Sequence, residues 1–290
     1  MNTIRLLFPA LLLASMVARA ADPYEPLDAV TGTYEGTWKT KSGQGAVVSQ
    51  IRPLGDGAYD GFILLKKGDK TVAVFHVASP KMPGSGPLAL AGKASTAKAE
   101  TLMAGEIKAE LNGKNLTGTL VGEVGECSLA AKKVIRKPKS LGAKPPRGAV
   151  VMMDPTKWVG FQFLVNPDGT WQAQKATTTT TAKMENFQLH VEFRTPLMAK
   201  SQGQARGNSG VYLLSVYEVQ VLDSFGLYPL QINDCGSIYG VKTAAGNACL
   251  PPTQWQTYDI TYHNGDGTAA NPPTVTIKHN GQTTIDKAKV

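Results

Sequence analysis

The chain has 290 residues, enough for one large or two ordinary domains, with 42% hydrophobic residues and a formal charge of +8. The charge is local: setting aside Arg5, Arg19 and the seven basic residues between Lys132 and Arg147 leaves −1. A folded nucleic-acid-binding face is therefore excluded as the source of the basicity, and no segment after the first twenty residues is apolar enough to span a bilayer.

The N-terminus reads as an export signal, 1–20. Arg5 supplies the positive region, Leu6 to Val17 the apolar region, and Ala18-Arg19-Ala20 a small-x-small cleavage site. An exported chain, periplasmic or extracellular, is expected, with no membrane span once the signal is removed. Residues 22–136 follow as a small antiparallel β-barrel or sandwich. Thr33 to Trp38 alternates, and Gly55-Asp56-Gly57, Gly68-Asp69 and Asn112-Gly113 are turn signals between strand-like runs, because such turns need positive φ. Pro80 to Lys98 is a looser insertion. His76 is expected as a packed strand residue, and no catalytic constellation is visible in this module. A basic, proline-rich linker, 137–147, is expected to be extended and solvated, with Pro145-Pro146 stiffening it.

Residues 148–290 are again strand-like. Phe187 to Arg194 alternates strictly, Val216 to Val221 alternates, and Asn280-Gly281 marks a type I′ hairpin. No helical period is sustained, so the expected class is all-β, a jelly-roll or sandwich preceded by a smaller antiparallel domain. Strand parity places Phe187, Leu189, Val191 and Phe193 on the core face and His190, Glu192 and Arg194 on the other. In the later strand Tyr217, Val219 and Val221 share one face, and Glu218, Gln220 and Leu222 the other. Each strand thus places a carboxylate and a second polar group on a non-core face, which suits a sugar groove. The loops Arg206 to Gly210 and Asp223 to Gly226 stand beside them. The same residues also fit a solvated outer face with cross-strand ion pairs.

Cys127 is expected to be buried on a strand. Cys235 and Cys249 are expected to pair as a disulfide in an oxidising compartment, and no cysteine spacing reads as a zinc site. Of Trp255 and Tyr258, one is expected in the core and the other beside the groove. His263 and His279 are expected to bond within loops.

An ordered set of segments resembles the 3-keto-disaccharide hydrolase family, also described as 3-keto-glucoside lyases and hydratases. They are Phe187 to Arg194, Arg206-Gly207-Asn208-Ser209-Gly210-Val211-Tyr212, Tyr217 to Ser224, Asp234 to Gly240, Trp255 to Ile260, and His279-Asn280-Gly281. The resemblance spans about Val150 to Val290. Met152-Met153-Asp154-Pro155 departs from the family pattern, and the family continues with further strands past this hairpin. The resemblance implies a concanavalin-like jelly roll and an oligosaccharide or glycoside substrate. It implies chemistry on a sugar oxidised at C3, by loss of the C2 proton and the C1 substituent. Glu218, Glu192 and Arg194 are then the catalytic candidates. His190, Asn208, Gln220, Asp223 and Tyr239 are the candidates for holding hydroxyls. No cofactor is required, although a divalent cation could be held by Glu192, Glu218 or Asp223. The alternatives are a sugar-binding module without turnover, and a conventional glycosidase using Glu192 and Glu218 as its pair.

Overall fold

The computed structural model describes residues 27–79, 86–94, 105–122, 125–174, 177–182, 184–266 and 268–290. The expected signal, 1–20, and most of the expected insertion lie outside them. The described residues are almost all strand, turn and irregular backbone, with two short 3-10 turns at Pro155–Lys157 and Gly203–Ala205. No helix among them is long and apolar enough to cross a membrane.

Eight strands, β1 (Gly32–Lys39), β2 (Gln44–Gly55), β3 (Ala58–Lys67), β4 (Lys70–Ser79), β5 (Leu88–Ala94), β6 (Gly105–Asn112), β7 (Asn115–Gly122) and β8 (Gly125–Val134), form a closed antiparallel barrel. Closure pairs β8 with β1, Thr33 opposite Val134 and Lys39 opposite Ser128, so neither end strand is left as an open edge. Inward residues such as Tyr34, Ile51, Ile63, Leu65, Phe75 and Leu120 fill the interior. Cys127 joins this core. His76 differs from expectation: Phe75 and Val77 take the inward positions, which turns its side chain outward and leaves it exposed.

The barrel's outside is not all solvated. Phe62, Leu64 and Val74 are buried there with Tyr228. Gln50, 1% exposed, accepts from Gly226 N at 3.1 Å and donates to Cys249 O at 3.3 Å. The basic run is also engaged: Lys133 Nζ donates to the carbonyls of Asp28 and Ala29, and Arg136 pairs with Glu35.

The chain then forms short strands β9 (Trp158–Val159), β10 (Leu164–Val165), β11 (Trp171–Gln172) and β12 (Thr179–Thr180), paired β9 with β12 and β10 with β11. Trp158, Phe161, Phe163 and Trp171 gather there as a cluster of rings, with Trp171 against the other three. The rest comprises β13 (Phe187–Phe193), β14 (Ser209–Leu213), β15 (Tyr217–Val221), β16 (Gln256–His263), β17 (Thr274–His279) and β18 (Gln282–Lys289). The order β13-β16-β17-β18 makes a four-stranded antiparallel sheet, and β14–β15 is a separate hairpin. Asn280 and Gly281, at φ +51° and +79°, close the β17–β18 turn with His279 opposite Gln282. Alternation along β13 sends Phe187, Leu189, Val191 and Phe193 onto a core shared with Tyr258, Ile260 and Tyr262 of β16. Tyr217, Val219 and Val221 of β15 enter the same core. The sheet and the hairpin thus pack face to face, as a sandwich or jelly roll requires.

Candidate functional site

Shared packing decides where the polar faces point. Tyr217 lies tilted toward Tyr262 at 6.4 Å between ring centres, and Tyr258 Oη donates across the core to Gln220 O at 2.6 Å. Both sheets therefore turn their core faces toward each other, and their polar faces look away on opposite sides. Glu192 and Glu218, expected to converge, stand on different surfaces of the module. Parity assigns each residue to a face of its own strand but carries no information on which sheets share a core.

The hairpin face is built by three adjacent stretches of backbone. Tyr212 of β14 lies directly opposite Glu218 of β15. On the other side the segment 236–239 runs antiparallel to β15 through a Val219–Ile238 bridge, Gln220 N to Ser237 O at 3.0 Å and Tyr239 N to Glu218 O at 2.9 Å. Directly opposed residues share a face. Tyr212, Glu218 and Tyr239 therefore form one transverse row, a carboxylate between two phenols that are 51% and 44% exposed. Tyr212 Oη donates to Glu218 Oε2 at 2.9 Å. That bond, with some burial, pushes the Tyr212 phenol above its ordinary pKa and keeps it protonated. Gly210 explains part of the Asn-Ser-Gly signature. A Cβ there would stand 2.0 Å from Glu218 Oε1 and 2.7 Å from its Cδ, so the carboxylate lies over bare backbone.

Asn208 joins this face through Gln204. Gln204 Oε1 accepts from Asn208 Nδ2 at 3.0 Å and from Gln220 Nε2 at 2.9 Å, while Gln204 Nε2 donates to Asn233 O at 3.0 Å. Gln220, expected to hold a sugar hydroxyl, is 1% exposed with its amide donating to Gln204 and Asn233, so it anchors Asn208 from below. Asp223 is also placed differently from expectation. Its carboxylate is buried in an ion pair, Arg206 Nε to Asp223 Oδ2 at 2.7 Å. Burial pushes its pKa up and Arg206 pulls it back. It organises the turn into β14 and does not reach the exposed row.

The outer face of the four-stranded sheet holds a second polar group. His190 Nδ1 lies 2.6 Å from Asp259 Oδ1 of β16, its cross-strand partner, and His190 Nε2 lies 3.2 Å from Glu192 Oε1. Burial alone would lower the His190 pKa, but the bonds and charges of the two carboxylates outweigh it, and the net shift is upward. The expected linker reaches this group: Ser140 Oγ donates to Asp259 Oδ2 at 2.8 Å and Gly142 N to Glu192 Oε1 at 2.5 Å. It is therefore not uniformly extended, and turns at Ser140 to Gly142 hand its donors to the sheet. Arg194 stands apart again, its guanidinium 4.9 Å over the Trp255 ring and 4.0 Å from Asp168. Tyr258 is core and Trp255 half-buried, as the spacing of three suggested. The three carboxylates considered for a cation, Glu192, Glu218 and Asp223, do not share a site.

The alternation that exposed Glu192 and Glu218 also carries the residues it passed over. Tyr212 sits between Val211 and Leu213, and Asp259 between Tyr258 and Ile260, each in outward register. The expected Cys235–Cys249 disulfide is not formed: Cys127, Cys235 and Cys249 are all free, buried thiols.

The model of the 3-keto-alpha-glucoside-1,2-lyase-like domain matches residues 108–290, more than half of the chain. The chain belongs to this family. The match includes every residue of the Tyr212–Glu218–Tyr239 row and of the His190 group, and it begins within β6 of the barrel. Membership supports a carbohydrate-active, hydrolase-like character. A crystal structure from Parabacteroides distasonis ATCC 8503, provisionally described as a glycosyl hydrolase, is similar at 30% identity with a TM-score of 0.41. The similarity covers 46% of this chain and 61% of that one, so the chain spans less than two thirds of its solved relative. No curated protein matches.

Proposed function

We propose that the protein cleaves 3-keto-glycosides at the Tyr212–Glu218–Tyr239 face. The observation that carries this reading is the carboxylate laid over Gly210 between two half-exposed phenols. Tyrosine rings suit the C–H face of a sugar, and a lone carboxylate beside them suits proton abstraction. Glu218 takes the proton from C2, next to the ketone, and the electron pair moves onto the C3 oxygen as an enolate. Asn208 Nδ2 gives one hydrogen to Gln204 and keeps a second N–H for that oxygen. Collapse of the enolate breaks the bond from C1 to its substituent. Tyr212 protonates the leaving oxygen and is reprotonated by Glu218 through the hydrogen bond between them. Water can later add to the 2-hydroxyglucal product.

Glu192 and Arg194 drop out of this scheme, because the linker and Trp255 engage them on other surfaces. So does a conventional glycosidase pair, which needs two carboxyl groups facing one bond. The signal-like N-terminus supports action outside the cytoplasm. The test is to incubate the full chain with an aryl 3-keto-glucoside in deuterated water. Aglycone release with deuterium entering C2 is expected. Retention of the sugar without release or exchange would instead make the face a binding module, and neither retention nor release would sink both readings.

A further inference from the structure

Away from the Glu218 face, three metal-capable donors meet in the core of the second module. Cys235 Sγ, Cys249 Sγ and a ring nitrogen of His279 all lie within 4.8 Å of one another, and all three residues are buried. They come from the loop after β15, the segment before β16 and the last residue of β17, so only the fold assembles them.

The state of His279 follows from its neighbours. Gln256 Oε1 accepts from Leu250 N at 2.9 Å and from Asn280 Nδ2 at 3.2 Å, which identifies it as the amide oxygen. His279 Nε2, 3.0 Å from that oxygen, must be the N–H that donates to it. The ring is fully buried, and its proton sits on Nε2. Nδ1 therefore presents a lone pair, and it has no hydrogen-bond partner. A Cβ on Gly236 would stand 3.2 Å from that nitrogen, so glycine keeps the approach open on the Cys235 side. Tyr258 Oη gives its hydrogen to Gln220 O at 2.6 Å and lies 3.1 Å from Cys235 Sγ, which turns its lone pairs toward the sulfur.

We propose that Cys235 Sγ, Cys249 Sγ and His279 Nδ1 bind a zinc ion in the core of the second module. With Zn–S of about 2.3 Å and Zn–N of about 2.0–2.1 Å, tetrahedral donors stand roughly 3.4–3.8 Å apart, within the observed limit. The ion displaces the two thiol protons to solvent, His279 keeps its own, and no oxidant is involved. Two thiolates offset the double positive charge, so the filled site adds no net charge to the core. Thiolate and imidazole favour zinc over magnesium or calcium. The bond from His279 to Gln256 is the outer-shell support that fixes a ligating imidazole's tautomer. A Cys235–Cys249 disulfide would satisfy the sulfurs but leave Nδ1 with nothing.

The test uses the full chain carrying Cys127→Ser, purified under reductant with zinc supplied and then desalted. Elemental analysis should find about one zinc per chain. The two remaining thiols should resist a thiol reagent until a chelator is added, and cobalt in place of zinc should give a thiolate charge-transfer band. Gln256→Leu, which keeps every ligand, should weaken zinc binding about 10–100-fold. Cys249→Ser and His279→Ala should lose the zinc. A metal-free protein with a Cys235–Cys249 disulfide after the same treatment would overturn the proposal. Zinc retained undiminished by a Cys235→Ser/Cys249→Ser double variant would overturn it equally.

Discussion

Asp223 was expected to touch sugar and instead closes a buried ion pair, and Asp223→Ala measures the difference. Arg206 and Asp223 have side chains 2% and 1% exposed. The guanidinium also donates to Ala199 O at 2.9 Å, Ser201 O at 3.3 Å and, from Nη2, to Pro53 O at 3.4 Å on the barrel's β2. Three neutral carbonyls cannot replace a carboxylate, so the substitution leaves a buried cation uncompensated. Breaking such a pair costs about 3–5 kcal/mol, a large part of the roughly 5–15 kcal/mol that holds an ordinary domain together. Urea unfolding followed by tryptophan fluorescence should report a loss of that size. Replacing both partners, Arg206→Met with Asp223→Leu, should recover most of it, because no charge is then left alone. A single-variant loss below about 1 kcal/mol, accompanied by weakened sugar binding, would refute the structural role and return Asp223 to the substrate.

Gly210→Ala should leave stability within about 0.5 kcal/mol, because a flexible glutamate can move aside, yet lower turnover of a 3-keto-glucoside about 100-fold by displacing the Glu218 carboxylate. Paired kinetic and thermal-unfolding measurements separate the two effects. His190, with its folded pKa raised above about 6.5, contributes stability that is fully present below that value and lost as pH rises through the higher folded pKa. Unfolding measured from mildly acidic to mildly alkaline pH should therefore show a decline that flattens in His190→Gln. Gln50→Ala should cost about 1–3 kcal/mol for each buried partner it abandons, Gly226 N and Cys249 O, in a urea titration.

Local chemistry made much of the fold legible. Asn280-Gly281 can hold two positive φ values in succession, so the hairpin was readable from two letters. The strict alternation of Phe187 to Phe193 reported its core face correctly, because only one side of that strand packs on the sandwich core. Barrel closure was not legible: nothing local in Thr33 or Val134 says that the first and last strands pair. The same gap misplaced Glu192 relative to Glu218, since alternation cannot say that β13 and β15 press their apolar sides together. Gln220 and Asp223 read as ligands because polarity in sequence does not reveal burial. Their partners Gln204, Asn233 and Arg206 come from elsewhere in the chain. The meeting of Cys235, Cys249 and His279 needs the whole second module folded, and their spacing carries no hint of it.

The proposed chemistry belongs to the Glu218 face and not to the Glu192 face. The direct measurement compares aglycone release from a 3-keto-glucoside by Glu218→Gln and Glu192→Gln, both verified as folded. Loss of the base should lower kcat about 100- to 10,000-fold in Glu218→Gln, with Glu192→Gln close to the unmodified protein. Full activity in Glu218→Gln with activity abolished in Glu192→Gln would contradict the account.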